Sequence, residues 1–230
     1  MKVTSYKAGQ AEGFSFTPDN LETANKFIAR YPEGRQASAV IALLDLAQRQ
    51  SGGWLPGAAI DYVANFLEIA PMRAFEVASF YSMFNLKPVG KHFIQVCRTT
   101  PCWLRGSDGL SEACKKKLGV KFGEVTEDGL FSVVEVECLG ACANAPMVQI
   151  NDDYYEDLTP ERMAGMIDEL REGKELKVGS QIGRLTSAPE GGMQTLTDLP
   201  PFDGKAVRMA PKVPSSDTAA TETAPSGEKA

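Results

Sequence analysis

Residues 97–102 read CRTTPC and residues 138–142 read CLGAC, which places four cysteines in two short loops with C-x4-C and C-x3-C spacing. Each loop follows a run of residues that predicts a strand. The two strands should be parallel and joined by a right-handed helical crossover, so both loops should lie at one end of a sheet. The four thiols, Cys97, Cys102, Cys138 and Cys142, can therefore converge, and we predict that they bind a metal.

Spacing alone leaves the kind of site open. Structural zinc sites take four ligands and favour spacings of about two to four residues in both loops. A redox dithiol requires C-x-x-C at a helix N-terminus, and plant-type ferredoxins use a C-x4-C-x2-C run; neither pattern is found here. An iron–sulfur cluster is the interpretation we favour, with zinc as the second and a dithiol or purely structural role as the third.

Charge around the cysteines supports a site that holds anionic ligands. Residues 91–121 contain seven Lys or Arg and two Asp or Glu, whereas residues 122–158 contain nine Asp or Glu and no Lys or Arg. Arg98 and Arg105 flank the first cysteine pair. We expect them to lower thiolate pKa values and to compensate part of the charge of four thiolates; the alternative is that they are solvated surface charges.

Composition limits the class of protein. The chain has 230 residues, 43% of them hydrophobic, and a net charge of −6, so nucleic-acid binding is not expected. Its apolar runs fall short of the ~20 residues that span a bilayer. Residues 1–13 lack a signal-peptide core and an Arg-rich stretch, so we expect an intracellular protein that is not inserted in a membrane. Five cysteines, four of them clustered, favour a metal site over disulfides in a reducing compartment.

Hydrophobic periodicity and helix-start signals divide the chain into segments. Helices are predicted to begin near Thr17, Gln36, Pro56 and Pro71, and the later order strand, helix, strand, strand, strand, helix predicts a thioredoxin-type domain, giving an α+β (α/β-like) fold class overall. The predicted segments are a polar arm over 1–16, a helical domain over 17–88, a thioredoxin-like domain over 89–174, an extended segment over 175–203 and a disordered tail over 204–230.

Other reactive side chains are assigned structural roles. Cys114 lies on the apolar stripe of a predicted helix and is expected to be a core residue. His92, the only histidine, lies five residues before Cys97 on a strand and is expected to be structural. The run from Phe80 to Phe84 can be core or partner surface. The sequence lacks a G-x-G-x-x-G or Walker loop, and one histidine supports no Ser/His/Asp triad.

These motifs together resemble the small [2Fe–2S] subunits of NADH:quinone oxidoreductase (respiratory complex I), both bacterial and mitochondrial. The resemblance runs from about residue 16 to 197 and rests on four stretches, at residues 77–84, 97–106, 137–147 and 183–192. It implies a thioredoxin-like [2Fe–2S] domain in which Cys97, Cys102, Cys138 and Cys142 ligate one cluster.

The resemblance also implies partners and a location. The cluster would exchange single electrons with FMN in an adjacent FMN- and NADH-binding flavoprotein subunit, beside a multi-cluster iron–sulfur subunit, while this chain binds neither FMN nor NADH itself. The chain would thus act within an oxidoreductase as an electron carrier without its own substrate site, at the cytoplasmic face of a bacterial plasma membrane. The N-terminal helices and residues 175–203 are the expected docking surfaces. Alternatives are a similar subunit of an NAD-reducing hydrogenase or formate dehydrogenase, and a redox-silent zinc subunit.

Overall fold

The fold was analysed in a computed structural model that describes residues 13–192, 194 and 195. The chain divides into two compact units, residues 1–192 and 193–230, and the described helices and strands all belong to the first. Most of the predicted polar arm and all of the predicted tail over 204–230 lie outside the described residues. Within the described part, no helix has the length and apolar character needed to span a membrane.

The N-terminal part of the unit is helical. Its elements are α1 (Pro18–Ile28), a 3-10 turn (Gln36–Ala39), α2 (Val40–Gln50), α3 (Gly57–Phe66) and α4 (Pro71–Phe80). The Thr17 hydroxyl caps α1 by accepting a hydrogen bond from the Asn20 N–H at 3.4 Å, and Pro18 takes the first helical position. The helix starts predicted at Thr17 and Pro71 are therefore confirmed, whereas the helix predicted from Gln36 opens as a 3-10 turn.

The buried Gln48 side chain holds the segment that follows α4 in place. The Gln48 amide donates to the Met83 carbonyl at 3.0 Å and accepts from the Asn85 N–H at 2.7 Å. The Asn85 side chain in turn donates to the Gly53 carbonyl at 2.9 Å. Because these groups satisfy one another's hydrogen bonds, the loop after α4 is held against α2.

The C-terminal part of the unit is built on a five-stranded mixed sheet with strand order β2-β1-β3-β4-β5. The strands are β1 (His92–Cys97), β2 (Phe131–Val136), β3 (Val148–Ile150), β4 (Asp153–Glu156) and β5 (Gly179–Ser180). β1 and β2 pair in parallel, and β3 and β4 form an antiparallel hairpin. The parallel pairing of β1 with β2 was predicted from the sequence and is confirmed.

Two helices cover one face of this sheet. The helices of this part are the short α5 (Thr100–Leu104), α6 (Ser107–Leu118) and α7 (Pro160–Arg171), and α6 and α7 pack on the sheet through one continuous core. Cys114 is fully buried there, as predicted, and burial raises the pKa of its thiol to about 12. The predicted α+β class is confirmed; the short α5 and β5 were not foreseen.

The opposite face of the sheet borders an open cleft of about 730 Å³ that the helical part also lines. Arg49 of α2 spans the two parts by donating two hydrogen bonds, at 2.8 and 3.0 Å, to the carboxylate of Asp152 in the β3–β4 turn. Cys138 lies on the wall of this cleft. One of the predicted ligand cysteines is therefore reachable from solvent.

Gly90 marks a close approach between the connecting segment and β2. A Cβ atom at this position would lie 2.4 Å from the carbonyl carbon of Phe131. The Gly90 N–H also donates to the Ser132 hydroxyl at 3.0 Å. Only glycine fits here, because the neighbour is strand backbone that cannot move without disturbing its pairing with β1.

We expect Gly90→Ala to lower the free energy of unfolding by about 1–3 kcal/mol, as overpacking does. Gly191→Ala is the matched control, because nothing lies within 4 Å of a Cβ there. Denaturant titration of both variants measures the difference, and equal free energies would contradict the close approach.

Candidate metal centre

The two cysteine loops emerge from the same end of the sheet. Cys97 is the last residue of β1 and pairs with Val136, the last residue of β2. Cys102 follows within α5, Cys138 comes two residues after β2, and Cys142 opens a 3-10 turn, Cys142–Asn144. The parallel register of β1 and β2 is therefore what brings the loops together.

The four thiols form two close pairs. The sulfurs of Cys138 and Cys142 are 3.5 Å apart, and the thiols of Cys97 and Cys102 interact directly. Cys142 also interacts electrostatically with both cysteines of the first pair. All four sequence-predicted ligand residues thus lie in one neighbourhood.

The site has a buried side and an open side. Cys97 and Cys102 are each 1% exposed and pack with Ala145 and Met147, whereas Cys138 and Cys142 are exposed. A metal held by both pairs would be shielded from water on one side only.

In the first pair, burial and hydrogen bonds have opposite effects on the pKa of Cys97. Burial, the largest influence on Cys97, raises its pKa, but the Thr99 hydroxyl, the Thr99 N–H and the Leu139 N–H, together with Cys102, lower the pKa overall. Burial and the neighbouring Cys97 raise the pKa of Cys102 to about 12. Cys97 therefore loses its proton at a lower pH than Cys102 does.

The second pair also has one thiol with a lowered pKa and one with a raised pKa. The Gly140 N–H, then Cys142 and the Thr99 hydroxyl, lower the pKa of Cys138, and Cys138 raises the pKa of Cys142. The Gly140 N–H lies 3.4 Å from the Cys138 sulfur, and Gly140 has a φ of +86°, a conformation that favours glycine. Metal binding displaces the remaining protons, so both pairs suit a ligand set of thiolates.

A tyrosine supports the second loop from the sheet. The Tyr154 hydroxyl of β4 donates to the Leu139 carbonyl at 2.8 Å. Leu139 and Tyr154 both pack on the buried cysteines. The Leu139 N–H is thereby held where it can reach Cys97.

The segment after β5 is anchored on the same loop. The Arg184 guanidinium donates to the Asp157 carboxylate at 2.7 Å and to the Ala143 carbonyl at 3.2 Å. The Arg184 and Asp157 side chains are only 9% and 3% exposed, and the Asn144 amide donates to the Thr186 carbonyl at 2.7 Å. The predicted extended segment therefore supports the second cysteine loop as part of the fold.

The two arginines near the first pair act on other groups. Arg98 forms ion pairs with Asp108 and Glu135, which differs from the compensation of thiolate charge that the sequence led us to expect. Arg105 donates to the Ala145 carbonyl at 3.4 Å. His92 lies at the opposite end of β1 from Cys97 and packs on the Phe131 ring, with 5.3 Å between ring centroids, in keeping with its expected structural role.

The arrangement consists of two pairs. Among the described residues, no group of three or more His, Cys, Asp or Glu side chains is placed to hold a single metal ion. A binuclear cluster needs two thiolates on each iron, whereas a zinc site needs four ligands at one ion. Four thiols in two pairs supply the ligands that a binuclear cluster needs.

A match to a protein-family model identifies the family of this chain. The model of the thioredoxin-like [2Fe-2S] ferredoxin family matches residues 24–171, and the chain belongs to this family. Its cofactor is one [2Fe–2S] cluster, as expected from the resemblance.

Two relatives are similar over most of their own length. The chain is 66% identical over 158 residues to the E subunit of NADH-quinone oxidoreductase of Rickettsia bellii, covering 69% of this chain and 95% of the relative. It is 51% identical over 187 residues to the mitochondrial NADH dehydrogenase [ubiquinone] flavoprotein 2 of Dictyostelium discoideum, covering 81% and 76%.

A solved structure shares the fold. The chain aligns with an air-oxidised NAD+-reducing [NiFe]-hydrogenase at a TM-score of 0.51 and 21% identity, over 57% of this chain and 23% of that one. At this identity the likeness shows the fold alone.

Removing the anchor of the second loop should be costly. Arg184→Met leaves the Asp157 carboxylate buried without its cation, and we expect the free energy of unfolding to fall by about 3–5 kcal/mol. Denaturant titration measures this loss.

Two further variants show whether the buried charge is the cause. Arg184→Met combined with Asp157→Asn should recover part of the loss, because the carboxylate charge is then gone. Arg73→Met, which breaks an exposed pair with Glu76, should cost at most about 1 kcal/mol. Similar losses for Arg184→Met and Arg73→Met would contradict the anchoring role.

Proposed function

We propose that Cys97, Cys102, Cys138 and Cys142 ligate one [2Fe–2S] cluster, and that the chain exchanges single electrons with the FMN of an adjacent NADH-oxidising subunit in NADH:quinone oxidoreductase. The observation that carries this proposal is the placement of two thiol pairs at one end of the sheet, in a chain of the thioredoxin-like [2Fe-2S] ferredoxin family.

The pairs suggest how the ligands divide between the irons. Two thiolates at about 2.3 Å from a tetrahedral metal lie roughly 4 Å apart, which is close to the 3.5 Å between the Cys138 and Cys142 sulfurs. We assign Cys97 and Cys102 to one iron and Cys138 and Cys142 to the other. Such a cluster accepts and releases one electron at a time.

The protein contributes shielding and hydrogen-bond donors. Cys97 and Cys102 keep water from one side of the site, and the N–H groups of Leu139 and Gly140 point at ligand sulfurs. Donors to sulfur stabilise the reduced, more negative state and raise the reduction potential. The exposed Cys138 and Cys142 leave the other side open for electron exchange with a partner.

The proposed partners are the FMN- and NADH-binding flavoprotein subunit and a multi-cluster iron–sulfur subunit, in a complex at the cytoplasmic face of the membrane. Support comes from relatives named as parts of NADH-quinone oxidoreductase and of mitochondrial NADH dehydrogenase. Exposed apolar side chains suit docking surfaces, with Met72 at 63% and Phe80 at 80% on α4, and Val178 at 52%, Ile182 at 53% and Leu185 at 48% beside β5.

Ligand variants of the full chain test the cluster. Purified anaerobically, the wild-type chain should show visible absorption bands, an EPR signal on reduction and two irons per chain. Cys97→Ser, Cys102→Ser, Cys138→Ser and Cys142→Ser should each lose or strongly alter these signals. Cys114→Ser is the control and should keep them, because Cys114 lies on the buried face of α6, in a different core cluster from Cys97 and Cys102. A colourless wild-type chain that contains zinc would overturn the proposal.

Charged substitutions test the docking surfaces. Ile182→Glu or Phe80→Glu should weaken binding to the flavoprotein subunit by about tenfold or more, equivalent to about 1.4 kcal/mol, because a charge replaces a buried apolar contact. Titration of the purified subunits measures the dissociation constant. Lys116→Glu, on the exposed face of α6, controls for added negative charge. Unchanged affinity in both apolar-site variants would exclude these surfaces.

A further inference from the structure

Thr99 lies within the first cysteine loop. Its hydroxyl oxygen is 3.4 Å from the Cys97 sulfur, and, after the Gly140 N–H and Cys142, it lowers the pKa of Cys138. Thr99 is half-buried, whereas the next residue, Thr100, is exposed. A single side chain thus contacts one cysteine of the first pair.

The Thr99 hydroxyl does not cap α5, although Thr99 is the N-cap residue of that helix. Thr17, Thr99 and Thr159 are the N-cap residues of α1, α5 and α7, each followed by proline within two positions. The Thr17 and Thr159 hydroxyls accept a backbone N–H of their own helix, at 3.4 and 3.2 Å. The Thr99 hydroxyl makes no such cap and contacts the Cys97 sulfur instead.

Chemistry fixes the direction of this hydrogen bond once metal is bound. A thiolate has no proton to give and can only accept, whereas a threonine hydroxyl has one proton to donate. Hydrogen bonds in which the acceptor is charged are also stronger than neutral ones. In the loaded protein the hydroxyl must therefore be the donor.

We propose that the Thr99 hydroxyl donates a hydrogen bond to the Cys97 thiolate and thereby raises the reduction potential of the cluster. The inference rests on the ligand set proposed above. A donor withdraws electron density from the sulfur and so stabilises the reduced cluster, which carries one more negative charge. Thr99 is thus a positioning and tuning residue, and the cysteines remain the ligands.

The test is a redox titration of the full chain with its cluster assembled, followed by the EPR signal of the reduced form. Thr99→Val keeps the shape of the side chain and removes the donor, so the midpoint potential should shift to a more negative value. Thr99→Ser keeps the hydroxyl and should restore the wild-type potential. Thr100→Val makes the same chemical change one residue away and should leave the potential unchanged.

Iron content is measured on every variant, so that a change in potential is separated from loss of the cluster. Thr99→Ala is titrated in parallel, because it removes the hydroxyl without introducing a second methyl group. A wild-type potential in iron-replete Thr99→Val or Thr99→Ala would overturn the proposal. Loss of iron from both, with normal iron in Thr99→Ser, would also overturn it, because Thr99 would then determine assembly. An iron-free wild-type chain would instead refute the ligand set.

Discussion

The parallel pairing of β1 with β2 is the constraint on which the site depends. Because the strands run in the same direction and end level with each other, at Cys97 and Val136, the loop after each strand starts at the same edge. The crossover between them passes through α5 and α6, and α6 buries Leu110 and Cys114 against the sheet. Packing of that crossover therefore holds the cysteine loops in position, although its helices contain only one of the four cysteines, Cys102.

The second loop needs support from outside its own sequence. Cys138 and Cys142 are exposed, so this loop buries little apolar surface of its own. Its contacts come from the Tyr154 hydroxyl on Leu139 and from Arg184, which binds Ala143 while paired with the buried Asp157. A segment that follows the last helix in the chain thus helps to shape a site formed far earlier in the sequence.

The sequence predicted those parts of the fold that carry a strong local signal. The strand before the first cysteine loop and the helix after it were predicted because alternation and helical periodicity are clear there, and the structure has them at His92–Cys97 and Ser107–Leu118. The five-residue α5 and the two-residue β5 are too short to show any period. The roles of Thr99, Tyr154 and Arg184 depend on partners distant in sequence or on an unused cap, which no local pattern reveals. The threonine–proline pairs Thr17-Pro18 and Thr159-Pro160 do not point to Thr99, because Thr100 is the residue next to Pro101.

Arginines form ion pairs with carboxylates of the acidic stretch that contains the second cysteine loop. The second cysteine loop lies in the stretch 122–158, which has nine acidic residues and no Lys or Arg, and unpaired carboxylates there would oppose the arrival of an electron. Basic side chains from outside the stretch pair with three of them: Arg98 with Glu135, Arg184 with Asp157 and Arg49 with Asp152. Pairing a carboxylate with a cation cancels most of its field at a distance, so a cation need not touch a thiolate to favour reduction. Ion pairs thus neutralise three of the nine carboxylates, whereas the hydrogen bonds from Thr99, Leu139 and Gly140 act on the sulfurs themselves and are the closest electrostatic influence on a metal held there.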